Sequence, residues 1–423
     1  MGNATIPKTL RNWLITTLED FPNPVEIKFW EGETLALGNA GESSVKLNFH
    51  HPGVLRSLIL KRDPLVLTEA YLNDWFDFQG DIETVVTLGQ HLAWKGLKRS
   101  QGIKVWLQSL RLPRLPLKVN PESNRDGEVH SKERDRAAIQ HHYDVGDDFY
   151  QLWLDPWMVY SCANFEHPLM SLAEAQERKL DLSCRKLKLQ PGEKLLDIGC
   201  GWGAMLRWAA KHYGIKGYGI TLSEKQVEHN RKRIKEEGLE DQLQVELLDY
   251  RDLPKTATFD KIVSIGMIEH VGLKQYPAYF QSAYQCLKPG GLFLNHGITS
   301  TDPWYGTSAG ERFINRYIFP DGELIQLTPM LREAEKARWE VVDVDNWRPH
   351  YALTLRRWAD NLAKAKTQAV QLIGEKLYKI WQLYLVGCAI GFENNQMGIY
   401  QTLLRRKKDT QWNLPLTRQG WLH

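Results

Sequence analysis

The chain has 423 residues, of which 43% are hydrophobic and 25% charged, and its formal net charge is +3 at neutral pH. This composition predicts an ordinary soluble protein of two or three domains, and the near-neutral charge gives no overall sign of a nucleic-acid-binding protein. The five cysteines form no CxxC pair. We therefore expect reduced thiols inside a cell and no structural metal site.

Targeting and membrane signals are weak along the whole chain. Residues 1–6 lack the apolar core of a signal peptide, and residue 6 is Ile where a myristoylation signal needs Ser or Thr. The longest apolar stretch, 380–392, is shorter than the roughly 20 residues of a membrane span. The expected location is the cytoplasm, with any membrane contact peripheral and at the inner face of the cell membrane.

The first 110 residues predict a small α/β domain. Apolar side chains between Leu10 and Leu18 fall on one helical face, and residues 25–29 and 45–49 alternate as half-buried strands do. No catalytic set of residues occurs there, which favours a scaffold or binding role.

A basic linker is predicted over residues 111–136. Between Lys95 and Arg136 the chain carries eleven Lys or Arg residues against five Asp or Glu, with prolines at 113, 116 and 121. Two interpretations stay open. The segment is either a solvated connector or an electrostatic contact with anionic lipid, worth about 1 kcal/mol per basic residue near such a surface.

From residue 137 to 410, helices and strands alternate. Ser171 and Glu174 form the pattern of a capping box that opens a helix to about residue 187. A helix is also predicted over 204–213. Strands are predicted at 194–198, 217–220, 244–248, 261–265 and 291–295. This alternation of strands and helices predicts a Rossmann-like, doubly wound and mostly parallel sheet. A C-terminal tail is predicted at 411–423.

A glycine-rich turn follows the first of these strands and reads Leu195–Gly203, LLDIGCGWG. Glycines at such a turn let backbone amides approach a ligand. A dinucleotide fold would show GxGxxG, whereas this turn shows GxGxG with Asp197 two residues upstream. The variant resembles the first motif of class I S-adenosylmethionine methyltransferases. The resemblance implies cofactor contacts from Asp197, Gly199, Gly201 and Gly203.

Two later segments complete the predicted cofactor site. The second strand ends at Thr221 and Ser223 without the acidic residue that usually binds the ribose, and the Gln226 amide is the candidate replacement. Helix capping alone is the other interpretation of Ser223 and Gln226. After the third strand, Tyr250 and Arg251 occupy the place where the adenine is normally held.

Several motifs together resemble the cyclopropane-fatty-acyl-phospholipid synthase and mycolic acid cyclopropane synthase family. They are DIGCGWG, ITLSEKQ, LLDYRDL, GMIEHVG, YDVGDDFYQLWLDPWMVYSC and RYIFP. The resemblance runs from about residue 138 to 410, in the family's order. The N-terminal domain looks like the small lipid-binding-type domain that precedes the catalytic domain in the phospholipid enzymes.

The family resemblance implies methylene transfer from S-adenosylmethionine to the cis double bond of an unsaturated phospholipid. An alkene is a poor nucleophile, so the site must exclude water, aromatic faces would stabilise the carbocation, and a base must remove a proton. In this family the base is thought to be bound bicarbonate. By resemblance its cage maps onto Cys162, Glu269, His296, the backbone at Ile298, and Tyr351. Tyr160 and Ser161, in the same motif as Cys162, are expected to contact the cofactor.

The chemistry of the cage residues fits a small planar anion, since His, Tyr, a thiol and a backbone N–H are donors. Glu269 must either orient His296 or carry a raised pKa in an apolar site. Cys388 has been regarded as a catalytic candidate in the family. It lies in an apolar helical stripe over 377–392, so a core position is the favoured interpretation and catalysis the alternative.

Three alternative functions stay open. The first is an acyl-chain methyltransferase that yields methylene- or methyl-branched products. A nucleic-acid methyltransferase is disfavoured because Gly266–His270 lacks the proline-containing motif that holds a base amine. The third is a lipid-binding protein without catalysis. The expected partner is unsaturated membrane phospholipid, and a homodimer is expected only because family members often dimerise.

Overall fold

The computed structural model describes residues 5–37, 45–94, 99–116, 130–136, 145–303 and 306–422. The chain divides into two compact units. Unit 1 comprises Met1–Asn124, Thr307–Phe313 and Gly374–Gly387. Unit 2 comprises Arg125–Gly306, Ile314–Ile373 and Cys388–His423.

Unit 1 is built on a four-stranded sheet with the order β2-β1-β3-β4. Its strands are β1 (Val25–Lys28), β2 (Thr34–Leu37), β3 (Val45–Phe49) and β4 (Phe76–Gly80). Its helices are α1 (Lys8–Leu18), α2 (Gly53–Lys61), α3 (Leu65–Leu72), α4 (Ile82–Trp94) and α5 (Arg99–Ser109). The predicted small α/β architecture is confirmed. The alternating residues of β1 and β3 point their apolar side chains into one core.

Unit 2 contains a seven-stranded sheet with the order β10-β11-β9-β8-β5-β6-β7. Its strands are β5 (Lys194–Ile198), β6 (Lys216–Thr221), β7 (Leu243–Leu247), β8 (Phe259–Ile265), β9 (Leu287–Ser300), β10 (Trp339–Asn346) and β11 (Met397–Arg406). Strands β5 to β9 pair in parallel, while β11 is antiparallel to both of its neighbours. The predicted doubly wound sheet is confirmed, and its two added strands lie at the β9 side.

The remaining helices belong wholly or in part to unit 2. They are α6 (Asp147–Gln151), α7 (Leu172–Lys186), α8 (Ala204–Tyr213), α9 (Glu224–Glu236), α10 (Tyr276–Cys286), α11 (Ala309–Tyr317), α12 (Leu327–Lys336), α13 (Arg348–Lys364), α14 (Lys366–Glu393) and α15 (Gln419–Leu422). The capping box predicted for α7 is confirmed. The Glu174 N–H donates to Ser171 Oγ at 3.3 Å, and the Ser171 N–H donates to Glu174 Oε2 at 3.0 Å.

The contacts divide the chain differently from the predicted domain limits in two places. Residues 307–313 and 374–387 join unit 1, where Arg312 pairs with Asp63 at 2.8 Å and Lys379 with Asp74 at 2.7 Å. Helix α14 departs from helical geometry at Gly374 (φ +79°), where the unit changes. Sequence periodicity does not report these long-range ion pairs, so the interruption of the catalytic domain was not foreseen.

The described part of the chain includes only the two ends of the predicted linker. Residues 117–129 and 137–144 lie outside the described part of the chain, and so do the first two residues of the motif at 143–162. The intervening residues 130–136 belong to unit 2, where Arg134 pairs with Asp321 at 2.6 Å. In the predicted tail, Leu414 is buried. No described helix is both long enough and apolar enough to cross a bilayer.

Candidate active site

A cavity opens at the carboxyl ends of the parallel strands of unit 2, where ligands bind in open α/β sheets. It holds about 950 Å³, part of it open solvent. Eight residues predicted to bind the cofactor line it, namely Tyr160, Ser161, Asp197, Gly199, Gly201, Thr221, Gln226 and Tyr250. Segments far apart in sequence therefore converge on one site because they follow neighbouring strands.

The glycine turn has the backbone shape that its sequence predicts. Gly199, Gly201 and Gly203 have φ values of +80°, +52° and +76°, a region that favours glycine. A Cβ at Gly203 would lie 1.7 Å from Asn230 Oδ1, whereas a Cβ at Gly201 would meet nothing within 4 Å. Gly203 is thus required for packing, and Gly201 leaves open space at the cavity.

Asn230 supports this turn and was not predicted. Its Nδ2 donates to the Gly201 carbonyl at 2.8 Å and to the Gln226 carbonyl at 2.7 Å. It lies on α9 one turn beyond Gln226, so the helical spacing from the predicted Gln226 is the signal that could have identified it.

Three predicted cofactor residues lie outside the cavity lining: Gly203, Ser223 and Arg251. Ser223 caps α9, since its Oγ accepts the Gln226 N–H at 3.3 Å. Gln226 itself does reach the cavity, and its Oε1 accepts a hydrogen bond from Thr221 Oγ1 at 2.6 Å.

Arg251 is occupied by ion pairs. Its guanidinium contacts Asp249 at 2.6 Å and Asp135 at 2.9 Å, and it donates to the His130 carbonyl at 3.0 Å. The two carboxylates draw Arg251 away from the cavity and join residues 130–135 to the end of β7. Tyr250, its neighbour, does line the cavity, and Tyr250 Oη is buried without a hydrogen-bond partner among the described residues.

Lys179 is a buried lysine in the lining of the cavity and was not among the predicted site residues. The side chain is buried, and its Nζ donates to Ser161 Oγ at 2.9 Å. Burial lowers the pKa of Lys179 to about 8, while the charges of Asp155, Cys162 and Asp197 oppose that shift. Lys179 lies on the buried face of α7, and buried lysines are rare unless they have a partner. That position could have identified it as a candidate site residue.

Asp197 faces the same cavity from the end of β5. Burial raises its pKa to about 7, and the charge of Lys179 partly offsets this rise. The two groups give the inner wall of the cavity one basic and one acidic member.

Glu269 and Ile298, two of the predicted cage residues, are directly joined. The Gly266 N–H donates to the His296 carbonyl at 2.9 Å, after which the chain leaves β8. The next donor along that side of β9, the Ile298 N–H, then donates to Glu269 Oε1 at 2.7 Å. Glu269 Oε2 is buried without a partner among the described residues, and burial raises the pKa of Glu269 to about 7.

His296 is held by a chain of hydrogen bonds. Lys186 Nζ donates to Gln401 Oε1 at 2.7 Å, which leaves the Gln401 Nε2 as the donor to His296 Nδ1 at 3.0 Å. Burial, together with the charges of Lys179 and Lys186, lowers the pKa of His296 well below its usual value, so the ring is neutral. Its proton therefore lies on Nε2, a buried atom without a partner among the described residues.

Trp347 connects the other cage residues. Its ring centroid lies 5.0 Å from that of His296, and its carbonyl oxygen lies 3.8 Å from Cys162 Sγ and accepts the Tyr351 N–H at 3.1 Å. Burial raises the pKa of Cys162, so its thiol stays protonated. Gln401 and Trp347 had not been assigned a role, and only the folded structure brings them beside His296.

Cys388 is buried in α14, and burial raises its pKa to about 12. A thiol with such a pKa is a poor nucleophile at neutral pH. All five cysteines are free. Among the described residues, no group of three or more His, Cys, Asp or Glu side chains has the arrangement of a metal site.

Comparison with known proteins gives two regions of similarity. The family model for mycolic acid cyclopropane synthetase matches residues 130–402, and one for a domain of unknown function matches residues 15–98. A probable fatty acid methyltransferase of Pseudomonas putida is 39% identical over 95% of this chain and 97% of that protein. Cyclopropane mycolic acid synthase 1 of Mycobacterium tuberculosis is 38% identical over 63% of this chain and 95% of that protein.

Solved structures agree with this assignment. The cyclopropane synthase MmaA2 from Mycobacterium tuberculosis has a TM-score of 0.61 and 35% identity, covering 66% of this chain and 99% of that chain. The mycolic acid cyclopropane synthase CmaA1, solved with SAH and CTAB, has a TM-score of 0.61 and 36% identity over 64% of this chain and 98% of that chain. On the fold, the motifs and these matches, the chain belongs to the mycolic acid cyclopropane synthetase family.

Proposed function

We propose that this chain is a cyclopropane synthase that uses S-adenosylmethionine and acts on the cis double bond of an unsaturated phospholipid acyl chain. Family membership and the glycine-lined cavity support the general chemistry. The observation that carries the proposal is that two buried cage atoms, His296 Nε2 and Glu269 Oε2, have no hydrogen-bond partner among the described residues.

The cavity residues fit S-adenosylmethionine. Gly201 leaves room where a side chain would intrude, and Gln226 and Tyr250 present an amide and a phenol to the cavity. A related structure at 36% identity is described as a complex with SAH. The donor's sulfonium supplies an electrophilic methyl group, and the chain's part is to bind and orient it while excluding water.

The cage residues fit a small anion such as bicarbonate. A neutral His296 presents an Nε2–H donor, and Cys162 retains its thiol proton. The pKa of Glu269, about 7, allows its carboxyl to donate a proton when protonated and to accept one when ionised. Bicarbonate held by these donors would supply a proton acceptor in addition to the Glu269 carboxylate.

Aromatic residues extend from the cavity to the cage. The Tyr160 ring, which lines the cavity, lies 5.3 Å from Trp358, and Trp358 lies 5.9 Å from Tyr351. The faces of these rings would stabilise positive charge on the acyl chain. They would also help to exclude water, which is a competing nucleophile for the carbocation. Removal of a proton from the transferred carbon then closes the ring.

A second candidate is a fatty acid methyltransferase that leaves the chain methyl- or methylene-branched. Two relatives favour it: the protein from Pseudomonas putida, and a probable fatty acid methyltransferase of Mycobacterium tuberculosis that is 42% identical over 72% of this chain. The two candidates share the donor and the first carbocation. Loss of a proton from the transferred carbon closes the ring directly. A hydride shift before deprotonation instead gives a methylene branch when the transferred carbon loses the proton, or a methyl-branched alkene when a neighbouring chain carbon loses it.

One experiment separates the candidates. The purified protein is incubated with unsaturated phospholipid vesicles and methyl-labelled S-adenosylmethionine, with and without bicarbonate in carbonate-free buffer, and the fatty acids are identified by mass spectrometry. We expect cyclopropane products whose yield falls without bicarbonate. Branched products alone would support the second candidate, and unlabelled lipid would reject both.

A further inference from the structure

The exposed face of helix α5 in unit 1 carries an apolar stripe. Ile103, Trp106, Leu107 and Leu110 are 67%, 45%, 52% and 40% exposed. Their spacing of three and four residues places them on one side of the helix. Singly exposed apolar side chains are ordinary, but a contiguous stripe that includes a tryptophan indicates a binding surface.

The opposite side of the same helix is firmly packed, so the stripe is not the result of a loose helix. Val105 and Leu112 are buried in the core of unit 1. Arg56 donates to the carbonyl of Leu110 and, at 2.7 Å, to the carbonyl of Leu112, which fixes the carboxyl end of the helix. The stripe is therefore presented in a defined orientation.

The charged residues of the segment that carries the stripe have one sign. Lys104, Arg111 and Arg114 are exposed beside it. From residue 95 to residue 121 the sequence contains seven Lys or Arg residues and no Asp or Glu. A second copy of the chain would bring these like charges together across a two-fold contact, which is unfavourable.

We infer that this face of α5 docks on the surface of an anionic phospholipid bilayer. The apolar side chains would enter the boundary between headgroups and acyl chains, while the basic side chains contact lipid phosphates. Lysine and arginine can do this because their long stems lie along the apolar surface while the charge stays in water. The inference extends the proposed function by stating where the chain meets its lipid.

The test measures flotation of the full chain with vesicles of phosphatidylcholine alone or mixed equally with phosphatidylglycerol. Ile103→Ser with Leu107→Ser is expected to lower binding to the mixed vesicles about tenfold or more. Lys104→Glu with Arg111→Glu is expected to remove the preference for the anionic vesicles. The control, Leu169→Ser with Leu416→Ser, changes residues that are 88% and 92% exposed outside the stripe and should bind like the unsubstituted chain.

Two further measurements keep the outcomes distinct. Methyl transfer to detergent-dispersed lipid should be the same in the stripe variants as in the unsubstituted chain. If the unsubstituted chain itself transfers no methyl group, the proposed function is refuted, whereas the docking surface is not. Unchanged vesicle binding by the serine variant would overturn the inference. So would a sedimentation result in which that variant only loses self-association, because the stripe would then bind a second copy.

A separate observation concerns Lys179. Other buried lysines of unit 2 have carboxylate partners: Lys186 pairs with Asp345 at 2.6 Å, and Lys261 with Glu193 at 3.7 Å. Within the described residues, Lys179 Nζ has no carboxylate oxygen within 4.0 Å and only Ser161 Oγ as a hydrogen-bond partner. An ammonium has three donors, so two of its hydrogens remain for a ligand in the cavity.

The geometry points to Lys179 as the residue that binds the carboxylate of the donor's amino-acid end. This inference rests on the proposed use of S-adenosylmethionine. The neighbouring Asp197 lines the same wall and offers a carboxylate to the donor's ammonium group. A wall with one charge of each sign is complementary to the zwitterionic end of an amino acid and to no other part of the donor.

The test is calorimetry with S-adenosylhomocysteine and with its decarboxylated analogue. Lys179→Met is expected to weaken binding of the first about 30-fold or more and to leave binding of the second unchanged. Lys261→Met, which removes a buried lysine away from the cavity, should alter neither.

Equal losses for both ligands in Lys179→Met would mean general damage to the cavity and would overturn the inference. Unchanged binding of both would do the same. Failure of the unsubstituted chain to bind either ligand would reject the proposed cofactor, and with it this role of Lys179.

Discussion

The two halves of the candidate site are built differently. The cofactor cavity is formed by backbone turns at the ends of β5, β6 and β8, and it opens to solvent. The cage consists of buried side chains from four distant segments, held by hydrogen bonds such as that between Glu269 and Ile298. The cavity depends on backbone shape, whereas the cage depends on protonation and on which atom carries each proton.

Each half of the site should therefore control a different quantity. In the proposed function the backbone of the turn contacts the donor, so changes there should alter the affinity for the donor. The cage groups would instead meet charge that develops only during the reaction, so changes in the cage should alter turnover. The following experiments test that separation.

The largest expected effect is that of Glu269→Gln on turnover. The substitution keeps the oxygen that accepts the Ile298 N–H but removes the titratable group, so we expect turnover to fall about 100-fold or more. The affinity for S-adenosylhomocysteine should change less than about threefold. Product formation by mass spectrometry and calorimetry check the two halves separately, and normal turnover would remove Glu269 from the mechanism.

At the turn, Gly201→Leu is expected to weaken S-adenosylhomocysteine binding about tenfold or more, since the new side chain enters space that is now open. Left-handed backbone also costs about 1–2 kcal/mol of stability for a non-glycine residue.

Gly238→Leu is the matched control. Gly238 also has a positive φ of +66° and open space around its Cβ position, but it does not line the cavity. Both variants should lose similar thermal stability, and only Gly201→Leu should lose affinity. Retained affinity in Gly201→Leu would show that the donor does not lie against this turn.

The sequence predicted those helices, strands and caps that depend on residues close together in the chain. The strand at 194–198 and the helix at 204–213 have the predicted limits, because a buried apolar run and a glycine turn mark both. The capping box of α7 and the strands of unit 1 follow from side-chain chemistry within a few residues.

The parts that the sequence did not reveal depend on long-range contacts. Strand β11 is buried on both faces and shows no alternation, so its antiparallel insertion beside β9 had no local signal. Gln401 lies on that strand and faces His296 only through the register of the pair. Lys179 is likewise distinguished only by its burial, and one of the two ion pairs of Arg251 joins it to Asp135, 116 residues away.

Gln401→Leu tests the side-chain network of the cage. It removes the donor to His296 Nδ1 and the acceptor for Lys186, so the histidine loses the contact that fixes its tautomer. We expect turnover to fall about tenfold with donor affinity unchanged. Gln244→Leu, on the exposed side of β7, is the control and should keep full turnover. Normal turnover in Gln401→Leu would mean that the tautomer is fixed by other contacts.

The smallest effect concerns stability and pH. The pKa of Glu269 rises from 4.5 to about 7 in the folded chain because its carboxyl is buried. Between these values the folded state holds a proton that the unfolded state has lost, so the free energy of unfolding falls as pH rises, by at most about 1.4 kcal/mol per pH unit from this group. Glu269→Gln has no such proton, and the contribution of Asp197 is common to both proteins. Measured by urea unfolding, the variant should therefore gain stability relative to the unsubstituted chain as pH rises from 5 to 7. A difference in free energy of unfolding that stays constant across that range would show that Glu269 is solvated or paired in the folded state.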